Sequence, residues 1–251
     1  MKPRIAIPQP HSQKSEYNAR TLPLYKHAIE ASGGEPVEVP LEASPEEIAK
    51  LVTSCQGVVL PGSPADVDPQ KFSAEKDPKT ADPDPLRDNV DELLLQDAYN
   101  MRKPVLGICY GLQALNVWRS GTLLQHIESS SVPHDAGKNA PIAHQVAVER
   151  GTRLANILAK TEAQSDLLPV NSSHHQAAAV VGDGLRVSAR SAEDKIIEAL
   201  ESTNPDHFVL AVQWHPERNF DSDPASQSIF KRLVDEARHY QPRAVKESAA
   251  S

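Results

Sequence analysis

Only two of the 251 residues are cysteine, Cys55 and Cys109, too few for a disulfide framework. Aromatic residues make up 4% of the chain, with four Phe, two Trp and five Tyr. The core must therefore come from Val, Ile, Leu and Ala, which favours an aliphatic parallel sheet covered by helices. Positive charge is in deficit, with 26 Lys and Arg against 34 Asp and Glu and a net charge of −8. That balance leaves no global electrostatic grip on phosphate backbones or anionic lipid, so neither nucleic acid nor membrane is an expected partner. No segment approaches the roughly 18 uninterrupted apolar residues that span a bilayer. Met1 to Arg4 run at once into a short apolar segment with no signal-peptide core, so a soluble protein of the reducing cytoplasm is expected.

What is present is alternation. Residues 4–8 form a β-branched run, and 22–31 place Leu22, Tyr25, Ala28 and Ile29 at helical spacing before the Gly33-Gly34 stop. Residues 36–39 predict a strand, 45–52 a helix capped by Ser44, and 57–60 a buried strand. Residues 61–85 carry six of the 21 prolines and predict a long surface loop. From Glu75 to Asp97 there are eight acids and three bases, most simply a solvated loop and helix face. A helix over 90–101, a central strand over 105–108 and a helix over 111–118 follow. Later runs at 144–148, 185–189, 196–200 and 208–214 predict mixed sheet, and 228–237 a closing helix. Alternating β and α implies a mostly parallel sheet with helices on both faces. One domain over 1–242 is expected, with 243–251 a disordered tail.

The segment Gly107-Ile108-Cys109-Tyr110-Gly111 has the form of a nucleophile elbow with Cys in place of Ser, between a strand and a helix. Small flanking residues suit its tight backbone, and the helix N-terminus is expected to favour thiolate over thiol. A cysteine nucleophile needs a base. Of ten histidines, His215 follows an apolar strand, and Glu217, two residues on, lies on the same side of extended chain to fix its tautomer. The competing view makes His215-Pro216-Glu217 an exposed turn with a local ion pair. Cys55, two residues before a strand, is most simply a buried structural thiol.

Together, Gly107 to Gln113 and Gln213 to Glu217 resemble the signatures of class I glutamine amidotransferase domains. Leu60-Pro61-Gly62 with Asp66-Val67-Asp68-Pro69, Arg87-Asp88, Asn116-Val117 with Gly121-Thr122-Leu123, and Val170 to Gln176 narrow the resemblance to the γ-glutamyl-γ-aminobutyrate hydrolase branch. The resemblance implies a flavodoxin-like three-layer α/β sandwich and hydrolysis of a small-molecule γ-glutamyl amide through a cysteine thioester. It assigns a triad of Cys109, His215 and Glu217, and an oxyanion hole from the Tyr110 N–H and one near Gly62 or Ser63. Gln113, His174, His175 and Gln176 would line the glutamyl pocket. No cofactor is implied, and no metal is expected at His174 and His175 because no other ligand cluster accompanies them in sequence. A homodimer stays open.

Two departures from that pattern stand out. Gly62-Ser63-Pro64-Ala65-Asp66 has Ser for a second Gly and one extra residue, which leaves open which N–H completes the oxyanion hole. Arg119-Ser120-Gly121 replaces a glycine pair. Two other functions compete with a free-standing hydrolase: a glutaminase subunit supplying ammonia to a separate synthetase, and a non-catalytic binding module on the same fold.

Overall fold

A computed structural model describes residues 1–128, 131–137, 140–159 and 167–242; the expected disordered tail, 243–251, lies outside them. In chain order the elements are β1 (Arg4–Pro8), α1 (Ser15–Ala31), β2 (Glu35–Val39), α2 (Pro45–Thr53), β3 (Gly57–Leu60), a 3₁₀ turn (Pro69–Phe72), α3 (Pro85–Met101), β4 (Val105–Ile108) and α4 (Tyr110–Trp118). There follow β5 (Leu123–Leu124), β6 (His144–Val148), α5 (Arg153–Leu158), β7 (Leu167–Val170), β8 (Ala177–Ala178), β9 (Leu185–Ser191), β10 (Ile197–Ser202), β11 (Val209–Val212) and α6 (Pro224–His239). One nine-stranded sheet runs β2-β1-β3-β4-β11-β10-β9-β6-β7, and β5 pairs with β8 separately. The first five strands are mutually parallel, and from β11 to β7 every pairing is antiparallel.

Strand side chains alternate between faces, so each strand feeds two cores. Ile5, Ile7, Ile108, Leu210 and Val212 pack under α1, α5 and α6, while Ala6, Leu60, Val105, Val209 and Ala211 pack under α2, α3 and α4. Helices on both faces of the sheet are what alternation predicts, and the three layers are the flavodoxin-like arrangement that the resemblance implies. Ser44 caps α2 as anticipated, in a reciprocal box in which Glu47 N–H donates to its Oγ at 3.3 Å and Ser44 N–H donates to the Glu47 carboxylate at 2.9 Å.

Several boundaries differ. Helix α1 begins at Ser15, seven residues before the apolar spacing starts, and accommodates Pro23 internally. Helix α3 begins at Pro85, whose missing N–H costs nothing in the first turn, with the Asp84 side chain accepting from Arg87 N–H. Helix α6 starts at Pro224, four residues before the expected start, and β11 ends at Val212 rather than running to Trp214. Helix α5 and strands β5, β7 and β8 are pieces too short to show a period in the sequence.

The acidic run is the larger correction. Asp84, Arg87, Asp88 and Asp91 are buried rather than solvated. Arg87 Nε donates to Asp91 Oδ1 at 2.8 Å, its Nη atoms donate to the Pro10 and Pro61 carbonyls, and its guanidinium lies 4.9 Å from the Tyr110 ring centroid. The Tyr110 hydroxyl donates to Asp88. A buried charge persists only when paired and hydrogen-bonded, and this network braces the start of α4 from beneath.

Candidate active site

Strand β4 ends at Ile108, and Cys109 turns the chain into α4 with φ 53° and ψ −104°, a left-handed conformation that L-residues rarely adopt. The flanking glycines are there for space. A Cβ at Gly111 would stand 2.2 Å from the Leu60 carbonyl oxygen, and one at Gly107 would stand 2.8 Å from that of Gly111. Strand β11 lies parallel to β4 with Val212 opposite Ile108, and the Cys109 N–H donates to the Val212 carbonyl at 2.8 Å. Three residues beyond Val212 the chain reaches His215, so two neighbouring strand ends deliver both side chains to one place.

Asn171 clamps the histidine's backbone: its amide donates to the His215 carbonyl at 2.8 Å, and its Oδ1 accepts from His215 N–H at 2.9 Å. His215 Nδ1 lies 2.8 Å from Glu217 Oε1. An ionised carboxylate only accepts, so the ring proton sits on Nδ1 and Nε2 presents a lone pair. Among the described residues, buried Nε2 has no hydrogen-bond partner. A Cβ on Gly62 would stand 3.0 Å from His215 Cε1 and 3.7 Å from Cys109 Cβ, which places imidazole, elbow and the loop after β3 around one point. That point opens on a cleft of about 420 Å³ lined by Cys109, His215, Ser63, Tyr17, Arg20 and Arg218 among others.

The electrostatics correct the thiolate expectation. Burial pushes the Cys109 thiol up to about 12, and the Glu217 charge adds to that. The opposing pulls, from Arg218 and from the Tyr110 N–H that hydrogen-bonds the sulfur, are smaller. The His215 imidazolium is disfavoured by burial, which lowers its pKa below the usual 6.5 despite Glu217. Burial works to raise the Glu217 carboxyl, but His215 and Arg218 hold it below the ordinary value, so it stays ionised. Both shifts run towards the uncharged forms, thiol and neutral imidazole.

Of the two loop amides expected near the oxyanion position, the Gly62 N–H already donates to the buried Tyr25 hydroxyl at 3.1 Å. Ser63, next to it, lines the cleft. The remaining expected residues sit elsewhere. Gln113 is buried and donates to the Gln176 carbonyl at 3.1 Å and to Gln213 Oε1 at 3.3 Å. His174 donates from Nδ1 to the Gln176 carbonyl at 2.9 Å, and Gln176 donates to the Gln125 carbonyl at 3.0 Å. His175 pairs with Asp66 Oδ2 at 3.0 Å and meets His126, Nδ1 to Nδ1, at 3.3 Å. None of these four is among the residues lining the cleft, although Ser173 is. The absence of a ligand cluster around His174 in the sequence does not carry over to space, where His134 and Glu198 join it with donor atoms all within 4.8 Å of one another.

Tyr17, Arg20 and Arg218 in the cleft wall carry no signal in the motifs above. Tyr17 and Arg20 lie on the polar first half of α1, which has no apolar period; Arg218 directly follows Glu217 and could have been found by adjacency.

The family model for peptidase C26 matches residues 5–217. The γ-glutamyl-γ-aminobutyrate hydrolase of Escherichia coli K12 is 35% identical over 227 residues, covering 86% of this chain and 85% of that one. A Mycobacterium tuberculosis protein described as a candidate glutamine amidotransferase is 39% identical over 222 residues, covering 87% and 68%. A solved Thermoplasma acidophilum chain, described as one component of a candidate GMP synthase, superposes with TM-score 0.65 over 96% of both chains at 14% identity, a likeness of fold. With a family model spanning most of its length and relatives of this identity, the chain belongs to the peptidase C26 family, of the class I glutamine amidotransferase-like type.

Proposed function

We propose that the protein is a hydrolase of γ-glutamyl amides, with Cys109 as nucleophile, His215 as general base and acid, and Glu217 as the group that orients the imidazole. The observation that carries this reading is the unpartnered, buried Nε2 of His215, in a cleft that Cys109 also lines, while Nδ1 is held by Glu217. Because burial favours the neutral forms of both thiol and imidazole, proton transfer accompanies attack: Nε2 takes the thiol proton as sulfur bonds to the γ-carbonyl carbon. The carbonyl oxygen becomes an oxyanion, met by the Tyr110 N–H and by the amide of Ser63, since that of Gly62 is engaged by Tyr25. The C–N bond then breaks, the imidazolium protonates the leaving amine, and a γ-glutamyl thioester remains. Water gives its proton to Nε2 and attacks the thioester; the C–S bond breaks, glutamate leaves and the proton returns to sulfur.

Arg20 and Arg218, both on the cleft wall, suit the α-carboxylate of a glutamyl group. The relative named γ-glutamyl-γ-aminobutyrate hydrolase favours an amine leaving group of that kind over ammonia. The test is glutamate release by the purified protein, without ATP or partner chain, from γ-glutamyl-γ-aminobutyrate and from glutamine. Preferred turnover of the former is expected. Preference for glutamine that emerges only on adding a cell extract would establish the ammonia-supplying role instead, and inactivity on every γ-glutamyl amide would favour a binding module.

A further inference from the structure

Behind the cleft, three buried donors face one another. His134 Nδ1 lies 3.2 Å and His174 Nε2 lies 3.6 Å from Glu198 Oε1, and the three side chains are 3%, 1% and 0% exposed. His134 Nδ1, His174 Nε2 and Glu198 Oε2 have no hydrogen-bond partner among the described residues. The outer bonds fix the tautomers. His134 Nε2 is 2.8 Å from Asp194 Oδ2, and His174 Nδ1 is 2.9 Å from the Gln176 carbonyl; both partners are acceptors, so both protons are spent outward. With those outer bonds made, the inward nitrogens of both rings face the Glu198 carboxylate across a buried gap, where one bound cation would engage all three donors.

We propose that His134 Nδ1, His174 Nε2 and Glu198 form a binding site for one divalent transition-metal ion, Zn²⁺ by its donor set, separate from the Cys109 cleft. Bonds of about 2.0–2.1 Å to a tetrahedral Zn²⁺ set neighbouring donors roughly 3.3–3.4 Å apart. The 3.2 and 3.6 Å separations bracket that edge. Each ligand also has the outer partner that metal sites use to orient ligands: Asp194 for His134, the Gln176 carbonyl for His174, and His144 Nε2, 2.9 Å from Glu198 Oε1, for the carboxylate. The His174 N–H donates to the His134 carbonyl at 3.0 Å, so the two loops are already joined by backbone. The ion would pin the segment bearing His134 and the loop after β7 to strand β10. Because Ser173, beside His174, lines the cleft, the site supports one wall of it without entering the acyl chemistry.

The test uses tag-free chain carrying Cys109→Ser, to remove the thiol as a competing ligand, stripped by chelator and titrated with Zn²⁺ against a chromophoric competitor. One equivalent per chain, a raised melting temperature and, with Co²⁺, visible bands of a tetrahedral nitrogen-oxygen site are expected. His134→Ala should weaken Zn²⁺ at least about 100-fold, and Asp194→Asn about 10- to 100-fold, the loss typical of an outer partner. His126→Ala, which breaks the other histidine pair, should leave the affinity unchanged. Circular dichroism of the variants separates loss of binding from loss of fold, and His134 and Asp194 lie outside regular elements. Absence of Zn²⁺ binding by folded protein, affinity unaltered in His134→Ala, loss in His126→Ala instead, or ¹⁵N spectra showing His134 and His174 doubly protonated and insensitive to Zn²⁺ would each overturn the proposal.

Discussion

Cys109 and Cys55 are both buried, and the proposed chemistry uses only Cys109. Cys55 has its thiol against the Leu51 carbonyl at 3.5 Å and a pKa raised by burial, with no histidine among the groups that shift it. A glutamine-like electrophile should label Cys109 alone, and Cys109→Ser should lose several orders of magnitude in turnover with the fold intact; peptide mapping of the adduct and steady-state kinetics check both. Glu217→Gln, which removes the charge that orients His215 and stabilises its imidazolium, should lower kcat by about 10-fold to 10⁴-fold. A neutral effect there, with His215→Ala inactive, would make Glu217 a bystander. The pH dependence follows from the two neutral partners. His215 must be unprotonated to accept the thiol proton, and burial lowers its pKa, so kcat/KM should rise with pH through a midpoint below 6.5 and then stay level. No second rise near the ordinary thiol range is expected, because burial holds Cys109 protonated up to about 12. A profile climbing between pH 8 and 9 would show that free thiolate is the reactive form.

At the scale of elements, the elbow depends on how closely α4 approaches β3. Gly111→Ala would drive a methyl group into the Leu60 backbone, where no flexible side chain can yield, so both strand and helix must shift. The substitution should abolish Cys109 labelling even where the protein still folds, since a displacement of about 1 Å at a nucleophile can cost about 10²-fold in rate. Helix α6 tests the other layer. Phe230 is fully buried and packs edge-on against Phe220 at a centroid distance of 5.8 Å. Phe230→Ala should destabilise the fold by about 3–5 kcal/mol, the usual cost of truncating a buried aromatic, read from the denaturant midpoint. The same scale explains why Asp84, Asp88 and Asp91 of the acidic run are buried against expectation, while Glu75, Asp82 and Glu92 stay exposed. Charge spacing along α3 says nothing about Tyr110, Pro10 and Pro61, whose groups close over Arg87 and Asp88 from distant parts of the chain.

For the whole molecule, one sheet crosses from β2 to β7, and the change from parallel to antiparallel pairing falls at β11, beside the strand that carries the elbow. The cleft lined by Cys109 and His215 thus sits at the carboxyl ends of central parallel strands, where ligands of open α/β sheets usually bind. A continuous sheet buried on both faces should unfold as one unit. Trp118 packs in the layer of α2, α3 and α4, and Trp214 belongs to the opposite core. Fluorescence of Trp118→Phe and Trp214→Phe variants, each reporting the remaining indole, should agree with circular dichroism on a single midpoint within each variant. Separated transitions would mean that the layers unfold independently and that the single domain expected over 1–242 is divided.

Local order was legible in the chain itself. Alternating periods placed β1 to β4 and the helices between them, Ser44 marked a helix start, and glycine on both sides of Cys109 marked a turn between strand and helix. The pairing of His215 with Glu217 was legible from their closeness in the chain, although the strand ends at Val212 and a buried turn, in which Arg218 N–H donates to the His215 carbonyl at 3.2 Å, brings them together in place of extended chain. Periods and caps are properties of neighbouring residues and need no fold. Tertiary structure alone decided the rest: that Asn171 grips the His215 backbone, that Tyr25 takes the Gly62 amide, that burial keeps Cys109 a thiol, and that His134, His174 and Glu198 converge. Each of these joins residues at least 24 apart in the chain or depends on the exclusion of water, and desolvation and long-range approach exist only once the sheet has closed its two cores.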